Sequence, residues 1–199
     1  EPTAASNAGV LAFAVISFGL GTLMVVNTLV SQSFGRKDYE SCGRYLWQGV
    51  WFALVYSALL LPVVPLVGSL FKWAGHDPAL FRLESLYLRI ALCGAVLKLV
   101  GTTFSQFLLA IDKPWLALIA SASGVALNAL VAWTLIFGHM GFGRMGVTGS
   151  AIAQNIGVGF EMLIAIAFAF RADLRKAFHV AQWRLRPGMF TTLLKVGIP

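Results

Sequence analysis

Charge is what this sequence is short of. Only 12% of its residues are Asp, Glu, Lys or Arg, against about 25% in soluble domains. Eight acids among 199 residues cannot help build the polar shell that a water-soluble domain requires. Cysteine is scarce too. Cys42 and Cys93 stand apart, one in a polar stretch and one in an apolar run, with neither CxxC nor metal-ligand spacing. A Walker A loop and an H-E-x-x-H motif are both missing, so nothing supports ATP hydrolysis or a metal-dependent enzyme. No catalytic residue, metal or organic cofactor is expected.

Apolar sequence is what the chain has in abundance: 58% of residues are hydrophobic and the mean hydropathy is +0.80. A helix that crosses the hydrocarbon of a bilayer needs about 20 consecutive, mostly apolar residues. Five runs reach that length, over about 8–30, 46–71, 90–111, 115–137 and 147–170. Transmembrane strands are excluded, because they would be shorter and would alternate apolar with polar side chains. The expected fold is all-α, a polytopic transmembrane bundle over residues 1–170. Residues 171–189 read as a polar linker and 190–199 as the start of another span. Pro114, after the tight turn at Asp112 and Lys113, is placed for the first position of a helix. Pro62 and Pro65 are expected to kink the second run. The chain opens at Glu1 and stops inside an apolar segment, so both ends read as truncations.

A net charge of +7 invites a nucleic-acid reading. The basic residues, however, fall in short gaps between apolar runs rather than on one amphipathic face, the pattern of loops that anchor membrane spans. Arg36, Lys37, Arg44, Lys113, Arg171, Arg175, Lys176, Arg184 and Arg186 fall on one side of the membrane. Lys72, Arg82, Arg89 and Arg144 fall on the other. The richer side is expected to be cytoplasmic, which puts 31–45, 112–114 and 171–189 inside and runs the first visible span inward. The expected partner is the lipid of the inner (plasma) membrane, not nucleic acid.

Small and polar residues mark helix faces that meet protein or water rather than lipid. Three spans carry such a stripe at helical spacing: Tyr87, Ala91, Gly94, Lys98, Gly101 and Ser105; then Ala117, Ser121, Gly124, Asn128 and Ala132; then Ser150, Gln154, Gly157, Glu161 and Ala165. Close helix packing accounts for the glycines and alanines. Lys98, Asn128, Gln154 and Glu161 are costlier to keep in a bilayer. At about 1.5 Å per residue, Lys98 and Asn128 lie roughly 13 Å from the outer ends of their spans, Gln154 about 10 Å and Glu161 about 20 Å. The first three are expected to meet in one outward-facing cavity, with Glu161 reaching Lys98 only if both side chains extend. Structural alternatives stay open: Lys98 snorkelling along its aliphatic stem, the other three serving as hydrogen-bonding ties between helices. Gly141, Gly143 and Gly146 form a G-x-G-x-x-G with no strand before it, so it reads as a turn and not as a dinucleotide site.

Taken in order, several segments resemble the MATE (multidrug and toxic compound extrusion) transporters. Asn27 to Gly35 contains Thr28-Leu29, Gln32 and Gly35, and resembles the T-L-x-x-Q-x-x-G stretch that ends that family's second helix. Leu127-Asn128 through Ile136-Phe137-Gly138 resembles its fifth helix, Gly146 to Ala153 the opening of its sixth, and Leu194 to Pro199 the start of its seventh. The resemblance implies an N-terminal lobe, helices two to six, of a two-lobe (6+6) transporter whose C-terminal lobe is missing here. It implies export of organic cations, drugs or toxic metabolites as small-molecule substrates, in exchange for H⁺ or Na⁺, by alternating access. It would place Lys98, Asn128, Gln154 and Glu161 along the substrate and ion pathway. The chain departs from the family at Ala132, where some members carry a coupling acid, and at Gln154, where many carry Thr. The rival readings are a lipid-linked oligosaccharide or peptidoglycan-precursor flippase, which wants a more cationic cavity, and a non-transporting membrane receptor or scaffold.

Overall fold

Inside hydrocarbon, backbone N–H and C=O groups have no water to bond, so a crossing segment must pair its own groups. The computed structural model describes residues 2–62, 86–87, 89–138 and 143–197, with side chains from Ile16 onward. Among the described residues every regular element is helical: α1 (Pro2–Gly35), α2 (Tyr39–Leu60), α3 (Ala95–Ala110), α4 (Pro114–Phe137), α5 (Gly146–Ala169), the short α6 (Ala172–Ala177) and α7 (Pro187–Gly197). Ile16–Gly35, Pro114–Phe137 and Gly146–Ala169 are long and apolar enough to cross a membrane.

Three boundaries differ from the sequence expectation. The stretch 31–45, read as a gap, is helical except for a turn at 36–38. An apolar run marks only what lies in lipid, whereas the hydrogen-bond ladder continues into water. Asp38 starts α2 by accepting the Ser41 backbone N–H at 3.1 Å. Hydrogen bonds from Ser41, side chain first and backbone second, hold the Asp38 carboxyl below its usual pKa range. The third run is interrupted at Gly94, between helical residues 89–93 and α3. Finally, α7 begins at Pro187, before residue 190, and the expected linker contains α6. Pro62 lies in a 3₁₀ turn after α2, while Pro65 and the rest of the second run lie outside the described residues. Pro114 does open α4, and α4 and α5 keep the expected extents almost unchanged.

Three helix ends use one device. Lys37, Asp112 and His179 adopt the left-handed conformation, with φ of 59°, 60° and 51°. In each, the following N–H reaches five residues back: Asp38 to Ser33, Lys113 to Leu108 and Val180 to Arg175. These are Schellman turns, which satisfy carbonyls that the helix end would orphan.

Glycines set the helix spacing. A methyl group on Gly157 of α5 would sit 2.6 Å from Asn128 Cβ and 2.8 Å from the Gly124 carbonyl oxygen of α4. One on Gly124 would meet Glu161 Cβ at 2.7 Å. On the far side of α5, Met162 lies against Gly101 of α3, where an added Cβ would meet Met162 Cβ at 3.2 Å. The helix α5 is therefore held between α3 and α4, and α3 packs in turn on α1 and α2. Outside this packing α4 presents Leu118, Ile119, Val125 and Leu130. Trp115 and Trp133 are exposed near its two ends, about 27 Å apart at 1.5 Å per residue. That matches the roughly 30 Å of hydrocarbon and the habit of Trp to sit at both interfaces.

The segment after α5 is strapped to the bundle. Phe178 is buried, with its ring 5.9 Å from Phe107, 5.5 Å from Tyr39 and 6.0 Å from Phe34. Trp47 donates its indole N–H to the Val180 carbonyl at 2.6 Å, and Trp51 donates to the Trp183 carbonyl at 3.1 Å. Gln48, fully buried, donates to the Arg184 carbonyl and accepts from the Arg186 N–H. The turns after α1 and α3 and the basic segment 171–186 thus share one end of the bundle.

Two substitutions test this packing. Gly157→Ala should cost about 1–3 kcal/mol, the usual range for overpacking, read as a lower unfolding temperature in detergent. Gly143→Ala, with open space around it, should leave that temperature unchanged. Gln48→Leu strands two backbone groups at about 1–3 kcal/mol each and should speed tryptic cleavage after Arg184. An unchanged cleavage rate would mean the strap does not depend on Gln48.

Candidate functional site

The polar stripes do not converge on one place; they divide between two. The first is a cavity of about 180 Å³ between α1, the approach to α3, and α5, where Lys98, Tyr87, Gln154 and Asn155 stand beside Ile16, Leu20 and Val158. Its level in the bundle is consistent across the three elements. Leu20, Lys98 and Gln154 lie 15, 13 and 16 residues from Gly35, Ile111 and Phe170 at the shared end, or about 20–24 Å along each helix. The cavity therefore lies well along the bundle, toward the end opposite the strap.

Its geometry comes from an interrupted helix. Asn155 presses against Gly94, where a side chain would collide with its amide. The Asn155 amide donates to the Ile90 carbonyl at 2.7 Å. Only glycine leaves room for this approach, and the Ile90 carbonyl accepts the Gly94 N–H at 3.1 Å as well as the Asn155 amide. One turn further on, Lys98 is half-buried, with no ion pair among the described residues. Tyr87 donates its hydroxyl to Gln154 Oε1 at 3.0 Å.

Asn128 corrects the expectation. It does not line this cavity, because the α4 stripe is turned into the α4–α5 contact, with its Cβ against Gly157. Glu161 does not meet Lys98 either. It lies against Gly124 in an open groove of about 650 Å³ with Ser105 and Ser121, among Leu109, Trp115 and Leu118. The Ser105 hydroxyl is buried and makes no hydrogen bond among the described residues. The groove thus holds one carboxylate, two hydroxyls and the Trp115 indole.

Of the T-L-x-x-Q-x-x-G residues, Thr28 and Gln32 are exposed on one face of α1, and Gly35 is its last residue, with open space around it. Asn27, just before them, ties α1 to α3 through the Gln106 carbonyl at 3.3 Å. Sequence reading missed Asn155, Gln48, Trp47 and Trp51. A second amide next to Gln154 was the available signal for Asn155, but it lies off the stripe because α5 has two packed faces.

The arrangement of helices is that of a known class of membrane transporter. The outward-facing conformation of a multidrug resistance MATE family transporter of the MOP superfamily matches with a TM-score of 0.87 at 18% identity, over 99% of this chain and 43% of that one. A MATE in the bent conformation matches with a TM-score of 0.84 at 20% identity, over 98% and 44%. At such identities the likeness is one of fold. The sequence carries the relationship further: the MatE family model matches residues 3–134, and the chain belongs to the MatE family. The probable multidrug resistance protein NorM of Agrobacterium fabrum is 29% identical over 194 residues, 96% of this chain and 42% of that protein. Its counterpart in Mesorhizobium japonicum is 30% identical over 194 residues, 95% of this chain and 41% of that protein. The chain spans less than half the length of the curated relatives it matches.

Proposed function

We propose that this chain forms part of a secondary-active exporter, one that exchanges amphipathic organic compounds for H⁺ or Na⁺ by alternating access and without ATP. The observation that carries the reading is the cavity at membrane depth where Lys98, Tyr87 and Gln154 interrupt apolar walls. Ionisable groups inside a bilayer are retained where they line a pathway, and transporters bind substrate near the midplane. Kinship with proteins named for probable multidrug resistance supports the same reading. The relatives are more than twice as long, in keeping with a C-terminal lobe that supplies the rest of the pathway. In this reading the protein sits in the cytoplasmic membrane with its strapped, basic end inward.

Glu161 is the proposed coupling residue. A carboxylate beside the Ser105 and Ser121 hydroxyls can exchange a proton or hold Na⁺ through oxygen. Gln154 and Lys98 face substrate, and Asn128 maintains the α4–α5 contact.

The test uses the protein expressed from its native gene, reconstituted in proteoliposomes, with ethidium and dansylglycine as dyes. An imposed H⁺ or Na⁺ gradient should drive at least one of them. No gradient-driven movement of either dye would overturn the reading. Glu161→Gln should slow driven transport by roughly tenfold or more, a barrier change of about 1.4 kcal/mol, while dye binding persists. An undiminished driven rate would remove Glu161 from the mechanism.

A further inference from the structure

We infer that the cavity at Lys98 binds the anionic group of its ligand, a carboxylate, sulfonate or phosphate on an amphipathic body. This rests on the transport reading above and adds the sign of the charge the cavity accepts.

The argument is an inventory of hydrogen-bonding groups. Lys98 carries three N–H donors and no acceptor. Gln154 accepts the Tyr87 hydroxyl on its carbonyl oxygen and keeps its amide N–H₂ as a donor. Asn155 spends one N–H on the Ile90 carbonyl. No Asp or Glu lines the cavity among the described residues, and Glu161 faces the other groove. The cavity therefore offers a positive charge and amide donors, beside the oxygens of Tyr87, Gln154 and Asn155, against walls of Ile16, Leu20 and Val158. A cationic ligand would be repelled by Lys98 and, among the described residues, would find no carboxylate in the cavity to balance it. An anion satisfies both the ammonium and the amide, and charge-assisted bonds of this kind are the strong ones. A volume of about 180 Å³ accommodates a small charged head group. The apolar body of the ligand then extends beyond the cavity.

Three probes with one fluorophore separate the possibilities: dansylglycine is an anion, dansylglycinamide neutral and dansylcadaverine a cation. Binding is followed by dansyl fluorescence on the purified protein expressed from its native gene, independently of any gradient. Dansylglycine should bind roughly tenfold or more tightly than dansylglycinamide, about 1.4 kcal/mol, and dansylcadaverine most weakly. Lys98→Met should abolish that preference and Lys98→Arg should retain it. Gln154→Glu, at an exposed position that spares the packing, should also abolish it by placing a carboxylate beside the ammonium. A preference for dansylcadaverine, or a dansylglycine affinity unchanged by both Lys98→Met and Gln154→Glu, would overturn the inference. Gradient-driven ethidium movement in the proteoliposomes would then still uphold the transport reading. Absence of binding by all three probes overturns the inference as well, and the same proteoliposome assay decides the transport reading separately.

Discussion

The close approach of α4 and α5 at Gly124 and Gly157 is the contact on which the rest of this structure depends. Lipid gives helices no hydrophobic reason to associate, so backbones must come near enough for dispersion and complementary shape to hold them. With the Asn128 and Glu161 Cβ atoms only 2.6 and 2.7 Å from where a methyl on Gly157 or Gly124 would stand, α4 and α5 pack as one unit. The opposite face of α5 is then committed to α3, and Asn155 is delivered to Gly94. The cavity lies beside that contact, between α1, the approach to α3, and α5. A polar site at membrane depth is thus a consequence of packing two helices away.

A second constraint acts at the basic end. The segment after α5 is not an open tether over 178–186. Phe178 fills a ring of aromatics from α1, α2 and α3, and Gln48 holds the backbone at both Arg184 and Arg186. The hydrogen-bonding groups of this strap are satisfied by side chains of α2, as the backbone of a segment packed against a helix requires. Its attachment leads the chain directly into α7, which packs on α1 and α2.

The two polar places in the bundle have opposite chemistry. One offers N–H donors and an ammonium; the other offers a carboxylate and hydroxyls. Separation by α5 keeps Lys98 and Glu161 from neutralising each other.

The sequence by itself determined the class of fold, the positions of the long apolar helices, the proline at the head of α4 and the family. These follow from quantities summed along the chain: hydropathy over about 20 residues, local turn chemistry and motif order. It also named Lys98, Gln154 and Glu161 as costly in lipid, since cost depends on residue type and depth. Only the tertiary structure decided which way those residues point. Asn128 and Gln154 look alike on a helical stripe, yet one stands at the α4–α5 contact and the other opens on a cavity. The turn at 36–38, the break at Gly94 and the strap at Gln48 were illegible for the same reason. Each depends on a hydrogen bond or a steric approach between groups set by the folded chain, and a side chain's direction is fixed by the neighbour it meets, not by its place in the sequence.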